Sequence, residues 1–466
     1  MPLIATFIVP HPPLIVPEIG RGDQNKIQNT IDAYQDVSTQ IASLKPDTII
    51  LSTPHAVLYS DYFHISPSDI SEGDFKMFGA PQVKMQVTYD TELVKMIINN
   101  AEKDGISAGT LGQKENALDH GTMVPLYFIN QKYQDYKLIR LSLSGFSPIT
   151  HYKFGKLINQ AIEQSNKRVI WIASGDLSHK LKKSGPYGLS KEGSIFDREI
   201  TKAMGNADFM KFLTFDDSFC EKAAECGLRS FIMMAGALDG KKVDSKLLSY
   251  EGPFGVGYAV ASFMISGLDE TRHFDKIYDN AELTKIEILK QSEDPYVSLA
   301  RKSLEHYVKK HHLLNMPNNL IDELLNQKAG VFVSLKIHGR LRGCIGTISA
   351  TRSCIADEII YNAISAGTQD YRFDPIQENE LPNVTYSVDV LGKNEPIESI
   401  NELDTKRYGV IVRFRQRSGL LLPNLEGIDT PEEQVSIALQ KGGIRNDQPY
   451  KMERFEVVRH HLKIGD

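Results

Sequence analysis

Histidines follow three of the predicted strands in the N-terminal half of the chain. The pairs of strand and histidine are Leu3–Val9 with His11, Asp47–Thr53 with His55, and Arg168–Ser174 with His179. In an open α/β sheet, ligands bind beyond the carboxyl ends of the strands. Prolines beside His11 and His55 limit the backbone freedom there, which suits a side chain that must hold a ligand still. A single histidine beside a proline is usually a turn or core residue, but three of the 13 histidines at such places predict a site at one edge of the sheet.

Acidic residues elsewhere in this half offer the remaining donor for a metal site. A mononuclear iron(II) site needs two imidazoles and one carboxylate on one face, with positions left open for substrate and oxygen. The candidates are Asp119, Asp176, Glu221 and Glu225. Glu225 has small or apolar neighbours in KAAECGLRSF, and a carboxylate in such surroundings is usually paired or bound to a metal. A solvated helix position is the alternative interpretation of Glu225.

The elements that must position these side chains alternate between strands and helices. Strands are predicted at Leu3–Val9, Asp47–Thr53, Lys137–Leu143, Arg168–Ser174 and 254–264, and helices at Asp23–Leu44, Glu92–Lys103, Gly121–Gln131 and Phe219–Leu238. Continuous apolar strands separated by helices indicate a mostly parallel central sheet with helices on both faces. We therefore expect one α/β domain over residues 1–268. His64, in YFHISP, is expected to be an ordinary strand residue.

The composition excludes several classes of protein. The formal net charge of -6 over 466 residues argues against a nucleic-acid binder, which usually has a basic excess. The apolar N-terminus lacks a basic segment and is interrupted by prolines, and the apolar run 252–268 is short and rich in glycine. These features argue against a signal peptide and a membrane span. The four cysteines form no CxxC pair, so we expect free thiols and a cytoplasmic protein.

A second domain is predicted after a charged segment. Residues 269–293 carry little apolar material and are interpreted as a linker, followed by a smaller α+β domain over 294–466. Its predicted helices are Pro295–His311, Ile355–Gly367 and Glu432–Lys441, and its strands are GVFVSLKI, RLRGCIG, VTYSVDVL and YGVIVRFRQ, with a turn at His338–Gly339. Arg413, Arg415 and Arg417 alternate as on one strand face, which predicts a solvated face more readily than a phosphate site. Gly255 and Gly257 lack the third glycine of a dinucleotide fingerprint.

Five motifs of the first domain resemble a known family when taken in order. They are FIVPHPPLIVP, STPHAVLYSDYF, LDHGTMVPLYF, SGDLSH and AAECGLRSF. Together they resemble the LigB-type catalytic subunit of class III extradiol dioxygenases, which open catechol-type rings with O2. The resemblance implies that His11, His55 and Glu225 hold Fe(II). It also implies that His179 is the acid/base for a catechol hydroxyl and that His120 hydrogen-bonds substrate or oxygen.

Two residues leave this assignment open. Cys226 lies beside Glu225, and the related Memo family uses a cysteine near this point of the same fold. Cys226 as ligand would favour a softer metal such as copper, and a metal-binding or scaffold protein without ring cleavage. Zinc, copper and manganese are the alternatives to Fe(II). A small buried side chain is the other interpretation of Cys226. Asp176 either orients His179 or caps the following segment.

The second domain resembles the AMMECR-type family. The motifs are LRGCIGTI, QDYRFDPI, ELPNVTYSVDVL and ALQKGGI, over about residues 295–455. That family co-occurs with Memo-like and radical-SAM proteins, which implies a protein partner from a radical-SAM pathway. The first domain implies a small aromatic substrate, and homo-oligomerisation is left open. Arg340 and Arg342 would favour a reactive thiolate at Cys344, although a packing role for Cys344 is the stronger expectation.

Overall fold

The computed structural model describes residues 2–112, 117–337, 339–425 and 427–461. Of Leu289, only the backbone is described. Clustering of contacts divides the chain into two units, Met1–Tyr278 and Asp279–Asp466. The charged segment 269–293 contains helix Phe274–Gln291, which crosses the boundary between the units. Its role as a linker stays a prediction. In the part of the chain that the structure describes, no helix is both long and apolar enough to cross a membrane.

The central sheet of the first unit is mostly parallel. The strands of this unit are β1 (Leu3–Val9), β2 (Thr48–Thr53), β3 (Phe63–His64), β4 (Ile70–Phe75), β5 (Ala80–Thr88), β6 (Ala108–Gly109), β7 (Lys137–Ser142), β8 (Val169–Ser174), β9 (Lys241–Glu251) and β10 (Tyr258–Leu268). The central sheet has the order β7-β2-β8-β1-β10-β9. Strands β7, β2, β8 and β1 run parallel, whereas β10 and β9 form an antiparallel edge. This arrangement brings the carboxyl ends of β2, β8 and β1 to the same edge.

Helices cover both faces of this sheet. They are α1 (Pro17–Gly20), α2 (Gln28–Leu44), α3 (Thr91–Lys103), α4 (His120–Ile129), α5 (Pro148–Ser165), α6 (Lys191–Asn206), α7 (Phe209–Leu213), α8 (Asp217–Ala223), α9 (Leu228–Ala237) and α10 (Phe274–Gln291). Side chains of the buried strands alternate between two cores: Trp171 packs with α3, α5 and α9, and Ile170 packs with α2 and α4. The α/β fold class with both faces covered is therefore confirmed. His64 is a buried strand residue, as expected.

The predicted helix Phe219–Leu238 was wrong. The structure has two shorter helices there, α8 and α9, because Ala224 adopts a left-handed backbone conformation with φ 53°. Glu225 and Cys226 therefore lie in the break between two helices. A left-handed residue ends a helix, so the two side chains are free to approach the sheet edge.

The second unit contains two four-stranded antiparallel sheets. Its helices are α11 (Pro295–Lys310), α12 (Asp322–Asn326), α13 (Ile355–Thr368) and α14 (Pro431–Gly442), and its strands are β11 (Val331–Ile337), β12 (Arg340–Gly346), β13 (Val384–Leu391), β14 (Glu395–Ile397), β15 (Gly409–Phe414), β16 (Arg417–Leu421), β17 (Lys451–Phe455) and β18 (Val457–His461). The sheet orders are β12-β11-β13-β18 and β14-β17-β15-β16. The α+β prediction is confirmed; His338 of the predicted turn lies outside the described residues.

The predicted arginine-bearing strand face of the second unit was wrong. Arg413 lies in β15 and Arg417 begins β16, whereas Arg415 lies in the turn between them with φ 55°. Arg413 pairs with Glu453 across the sheet, with Nε to Oε1 at 3.1 Å. The alternation of arginines in the sequence therefore reflects a hairpin and not one face of a strand.

Candidate metal centre

His11 is held by the loop that follows β8. Its backbone N–H donates to Asp176 Oδ1 at 2.8 Å, and its ring Nδ1 lies 2.9 Å from the hydroxyl oxygen of Ser174. The Ser174 hydroxyl donates its proton to the carbonyl of Gly121 at 2.6 Å, so it accepts from Nδ1–H of His11. That tautomer leaves Nε2 of the neutral imidazole with a free lone pair, as a metal ligand requires. Burial, reinforced by nearby histidines, holds the pKa of His11 well below its usual value.

His55 lies opposite His11 at the end of β2. The Thr53 hydroxyl accepts a hydrogen bond from the backbone N–H of His55 at 3.2 Å. The same hydroxyl donates to Asp119 at 2.8 Å, which ties the His55 loop to the start of α4. Nε2 of His55 lies 3.0 Å from Nε2 of His11, and the His55 residue is exposed whereas His11 is buried. The pair therefore has one imidazole at the floor and one at the mouth of the candidate site.

Cys226 completes a group of three donors with the two histidines. Its Sγ lies 3.7 Å from Nε2 of His11, and the donor atoms of His11, His55 and Cys226 all lie within 4.8 Å of one another. The backbone N–H of Asp176 donates to this sulfur at 3.3 Å. The loops that contain Asp176 and Cys226 thus meet at the sheet edge and place a thiol beside the imidazoles.

The close approach of these loops depends on two glycines. A Cβ on Gly175 would lie 2.2 Å from the Cα of Gly227, and the backbone N–H of Gly227 donates to the carbonyl of Asp176 at 3.1 Å. A side chain at either position would separate the loops and move Cys226 away from His11.

Glu225 lies outside the group of three donors. Its Oε2 accepts from the backbone N–H of Leu228 at 2.6 Å, so the carboxylate caps the first turn of α9. Burial raises the pKa of Glu225 to about 7. Among the described residues, the donors that come together thus include a thiol where the sequence favoured a carboxylate, and the assignment of Glu225 as a ligand stays a prediction.

His120 and His179 flank the group of three donors. The ring of His120, at the first turn of α4, lies 4.0 Å from that of His55 between centroids, and burial lowers the pKa of His120 to about 4. His179 stacks on Tyr187 at 5.1 Å, and burial followed by the charge of His55 lowers its pKa. These shifts favour the neutral form of both imidazoles.

Asp176 positions His11 and not His179. Its carboxylate accepts from the backbone of His11, and the Asp176 backbone contacts Cys226, as given above. Of the two suggestions made from the sequence, the helix cap was wrong, because no helix begins between Asp176 and Lys191, and no hydrogen bond from Asp176 to His179 appears among the described residues. Burial raises the pKa of Asp176 to about 7.

A cavity of about 320 Å³ leads to Cys226 and Glu225. Its apolar walls include Leu58, Leu143, Phe215 and Ile232. Arg229 also lines it and donates to the carbonyl of Ser144 at 2.8 Å. No sequence pattern indicated this cavity, because its walls come from loops after β2 and β7 and from α8 and α9.

Family models match both units. The model described as the catalytic LigB subunit of aromatic ring-opening dioxygenase matches residues 5–261, more than half of the chain. The chain belongs to the LigB family. A second model, AMMECR1, matches residues 297–461, so the LigB domain is followed by an AMMECR1 domain.

Relatives match either the whole chain or one of its two domains. A protein of Clostridium acetobutylicum is 42% identical over 468 residues and covers 99% of both chains. A protein of Thermotoga maritima is 46% identical over 170 residues, 36% of this chain and 98% of its own length. An Escherichia coli 3,4-dihydroxyphenylacetate 2,3-dioxygenase is 26% identical over 279 residues, 57% of this chain and 98% of its own.

Proposed function

We propose that the LigB domain binds one metal ion through His11, His55 and Cys226 and uses it to act on a small phenolic substrate. The observation that carries the proposal is the convergence of these three donor atoms within 4.8 Å of one another. In this first candidate reaction the aromatic ring of the substrate stays intact.

The separations between the donor atoms support a single metal ion. Tetrahedral coordination with metal–nitrogen bonds near 2.0–2.1 Å and metal–sulfur bonds near 2.3 Å requires N···N and N···S separations of roughly 3.3 and 3.6 Å. The corresponding separations in the site are 3.0 Å between the two Nε2 atoms and 3.7 Å between His11 Nε2 and Sγ. The third separation, between His55 and Cys226, is within 4.8 Å, so side-chain shifts of about 1 Å would bring all three donors to one metal ion.

The donor set favours a borderline or soft metal. Two imidazoles with one thiolate suit zinc or copper better than iron(II), which is commonly held by two imidazoles and a carboxylate. Such a metal, when bound, supplies a Lewis acid that lowers the pKa of a coordinated hydroxyl group. His120 and His179 are then the residues that accept and return that proton. The apolar walls of the cavity suit an aromatic ring.

Metal analysis of anaerobically purified protein tests the proposal. Cys226→Ala is compared with Cys220→Ala, because both cysteines line the cavity and only Cys226 belongs to the donor group. We expect Cys226→Ala to weaken metal binding by at least about 100-fold, more than the loss usually caused by removing a residue that merely orients a ligand. Equal metal content and affinity in the two variants would reject Cys226 as a ligand.

Ring opening at an iron(II) site is the second candidate. It is favoured by the LigB family membership and by the dioxygenase relative from Escherichia coli. It requires Glu225 to leave the helix cap and join His11 and His55. Glu225→Gln is therefore compared with Glu221→Gln, since both acids line the same cavity.

The two candidates give opposite results. Loss of iron in Glu225→Gln, together with oxygen uptake on 3,4-dihydroxyphenylacetate by the wild type, would select the ring-opening reaction. It would reject the first candidate, in which the ring stays intact. Retained metal in Glu225→Gln, together with no oxygen uptake by the wild type on that substrate or on catechol, would select the first candidate.

A further inference from the structure

The imidazole of His179 has no hydrogen-bond partner within the described part of the chain, although the backbone of this residue is firmly held. Its backbone N–H donates to the carbonyl of Ala224 at 3.3 Å, and the Ser178 hydroxyl donates to the carbonyl of Ala223 at 2.7 Å. Both bonds tie the loop after β8 to the segment that leads into Cys226. The main chain of His179 is thus fixed beside the candidate metal centre, whereas the orientation of its ring depends on other contacts.

The ring of His179 is in contact with the ring of Tyr187. An imidazole that moves a proton is usually oriented by a hydrogen bond at its second ring nitrogen. Asp176 does not supply that bond, because its Oδ1 accepts from the backbone N–H of His11. The ring centroids of His179 and Tyr187 instead lie 5.1 Å apart, with an angle of 28° between the ring planes. Both values describe a stacked pair, at a distance that aromatic pairs prefer.

Tyr187 is carried by a short loop from Leu181 to Leu189, which we call the tongue. An isolated antiparallel bridge joins Leu181 to Leu189 and closes the base of the tongue. Gly188, directly after Tyr187, has a left-handed φ of 78°, which turns the chain at this point. The tongue is therefore a closed turn that begins two residues after His179 and brings an aromatic ring back against it.

Core packing does not account for the position of Tyr187. Its side chain is 60% exposed, and its hydroxyl has no hydrogen-bond partner among the residues that the structure describes. A large exposed ring in this place does one thing that the structure shows: it lies against an imidazole that lacks a hydrogen bond of its own. Stacking restricts the plane of the imidazole in the way that a hydrogen bond would otherwise do.

We propose that Tyr187 is a positioning residue, whose ring holds the imidazole of His179 in the plane that presents one ring nitrogen to the hydroxyl group of the substrate. The inference rests on the proposed function, in which His179 accepts and returns the substrate proton. In that step the proton moves from the hydroxyl oxygen to the imidazole nitrogen, and the oxygen keeps the electron pair of the O–H bond. Tyr187 acts through His179 and takes no part in metal binding.

Nuclear magnetic resonance of the full-length chain with isotope-labelled histidine rings tests the stack without a metal or a substrate. The signal of His179 is assigned by its loss in His179→Ala. A stacked tyrosine shields the imidazole protons through its ring current, so Tyr187→Ala should move this signal to a higher chemical shift. Tyr187→Phe keeps the ring and should leave the signal in place. Leu189→Ala, which removes another exposed side chain of the tongue, should do the same.

The spectrum of 4-nitrocatechol bound to the zinc-loaded chain tests the positioning role. We expect the ratio of bound dianion to bound monoanion to be about 2- to 10-fold lower in Tyr187→Ala than in the wild type, the size of effect that one aromatic pair gives. Tyr187→Leu keeps an apolar side chain without an aromatic ring and should give the same result. Tyr187→Phe should keep the wild-type ratio. Zinc content should be equal in all of these variants, because the three donors are unchanged.

The possible outcomes separate this inference from the proposed function on which it rests. An unshifted His179 signal in Tyr187→Ala, or a ratio equal to that of the wild type at equal zinc content, would overturn the positioning role alone. Loss of zinc from Tyr187→Ala would also overturn it, since Tyr187 would then support the metal centre itself. A wild-type chain that binds zinc and holds 4-nitrocatechol only as the monoanion would overturn the acid/base role of His179, and this inference with it.

Discussion

Nε2 of His55 lies 3.0 Å from Nε2 of His11, although 44 positions separate the two residues in the chain. Their strands, β2 and β1, are not neighbours: each pairs in parallel with β8, which lies between them. The carboxyl ends of all three strands meet at one edge of the sheet, and the loops after β1 and β2 turn towards each other over the end of β8. The position of the imidazole pair thus follows from the parallel topology.

His179→Ala should retain the metal and lose proton transfer. His179 flanks the donor group without belonging to it, so its removal leaves His11, His55 and Cys226 in place. Metal content should stay near that of the wild type, whereas His11→Ala should lose the metal. Bound 4-nitrocatechol should show a dianion spectrum in the wild type and a monoanion spectrum in His179→Ala at neutral pH. If a substrate is turned over, the rate should fall by roughly 10²–10⁴-fold. Loss of metal from His179→Ala would show that its role is structural.

The parts of this site that follow regular strands were predictable from the sequence. Apolar runs predicted β1, β2 and β8 within one or two residues, and the residue after each strand end could then be placed at one edge. The third donor was not predictable in this way. The left-handed Ala224 breaks an otherwise helical pattern, and alanine gives no warning of such a conformation. Gly227 was the available signal, since a glycine after the break permits the close contact with Gly175.

In the second unit, the sequence suggested Arg340 and Arg342 as the charges beside Cys344, whereas Arg372 contacts its backbone. Arg342 is its near neighbour in the chain, but alternation along β12 does not show that Glu380 occupies the guanidinium. Arg372 comes from a distant segment, 28 positions away, and only the tertiary fold brings its guanidinium to the backbone carbonyl of Cys344. Long-range neighbours of this kind leave no periodic signal in the chain.

Gly236→Ala should destabilise the LigB domain. Helices α5 and α9 cross so closely that a Cβ on Gly236 would lie 1.9 Å from the carbonyl oxygen of Tyr152. Separating the helices should cost about 1–3 kcal/mol, as overpacking a core does. Gly205→Ala is the matched control, because its Cβ would meet only Leu247 at 3.9 Å. That control should be neutral or stabilising by up to about 1 kcal/mol. Urea unfolding measures both, and equal effects of the two variants would refute the close crossing.

Limited proteolysis should separate the two units within 279–293. His273 and Asp275, just before this stretch, are held in the first unit by ion pairs with Asp239 and Lys156. Arg301 holds Glu293 at 2.9 Å in the second unit. Six of the 15 residues 279–293 are charged and several are exposed, and exposed segments are the preferred sites of cleavage. Brief trypsin digestion should give two folded fragments, identified by intact mass. Early cleavage elsewhere, with residues 269–293 still intact, would contradict the linker predicted there.

The stability of the LigB domain should depend on pH through Asp197. This buried carboxylate accepts from the backbone N–H of Ser178 at 2.8 Å and from the Tyr250 hydroxyl at 2.8 Å. Burial nevertheless raises the pKa of Asp197 from 3.8 to about 7. Between those two pH values the folded chain holds a proton that the unfolded chain has lost. The free energy of unfolding therefore falls as pH rises through this window, and the stabilisation is complete only below the unfolded pKa.

Asp197→Asn replaces the titrating carboxyl group with an amide. The free energy of unfolding should then depend less on pH. Urea unfolding of the first unit at a series of pH values between about 4 and 8 measures the slope, which reports the difference in bound protons between folded and unfolded states. The slope is the readout because the amide replaces only part of the hydrogen bonding, so Asp197→Asn also shifts stability at every pH. Asp36→Asn changes an exposed carboxylate on α2 and should keep the wild-type slope. Because Asp176 also has a raised pKa, some slope should persist in Asp197→Asn. A slope in Asp197→Asn as steep as in Asp36→Asn would mean that Asp197 is already ionised in the folded chain at low pH.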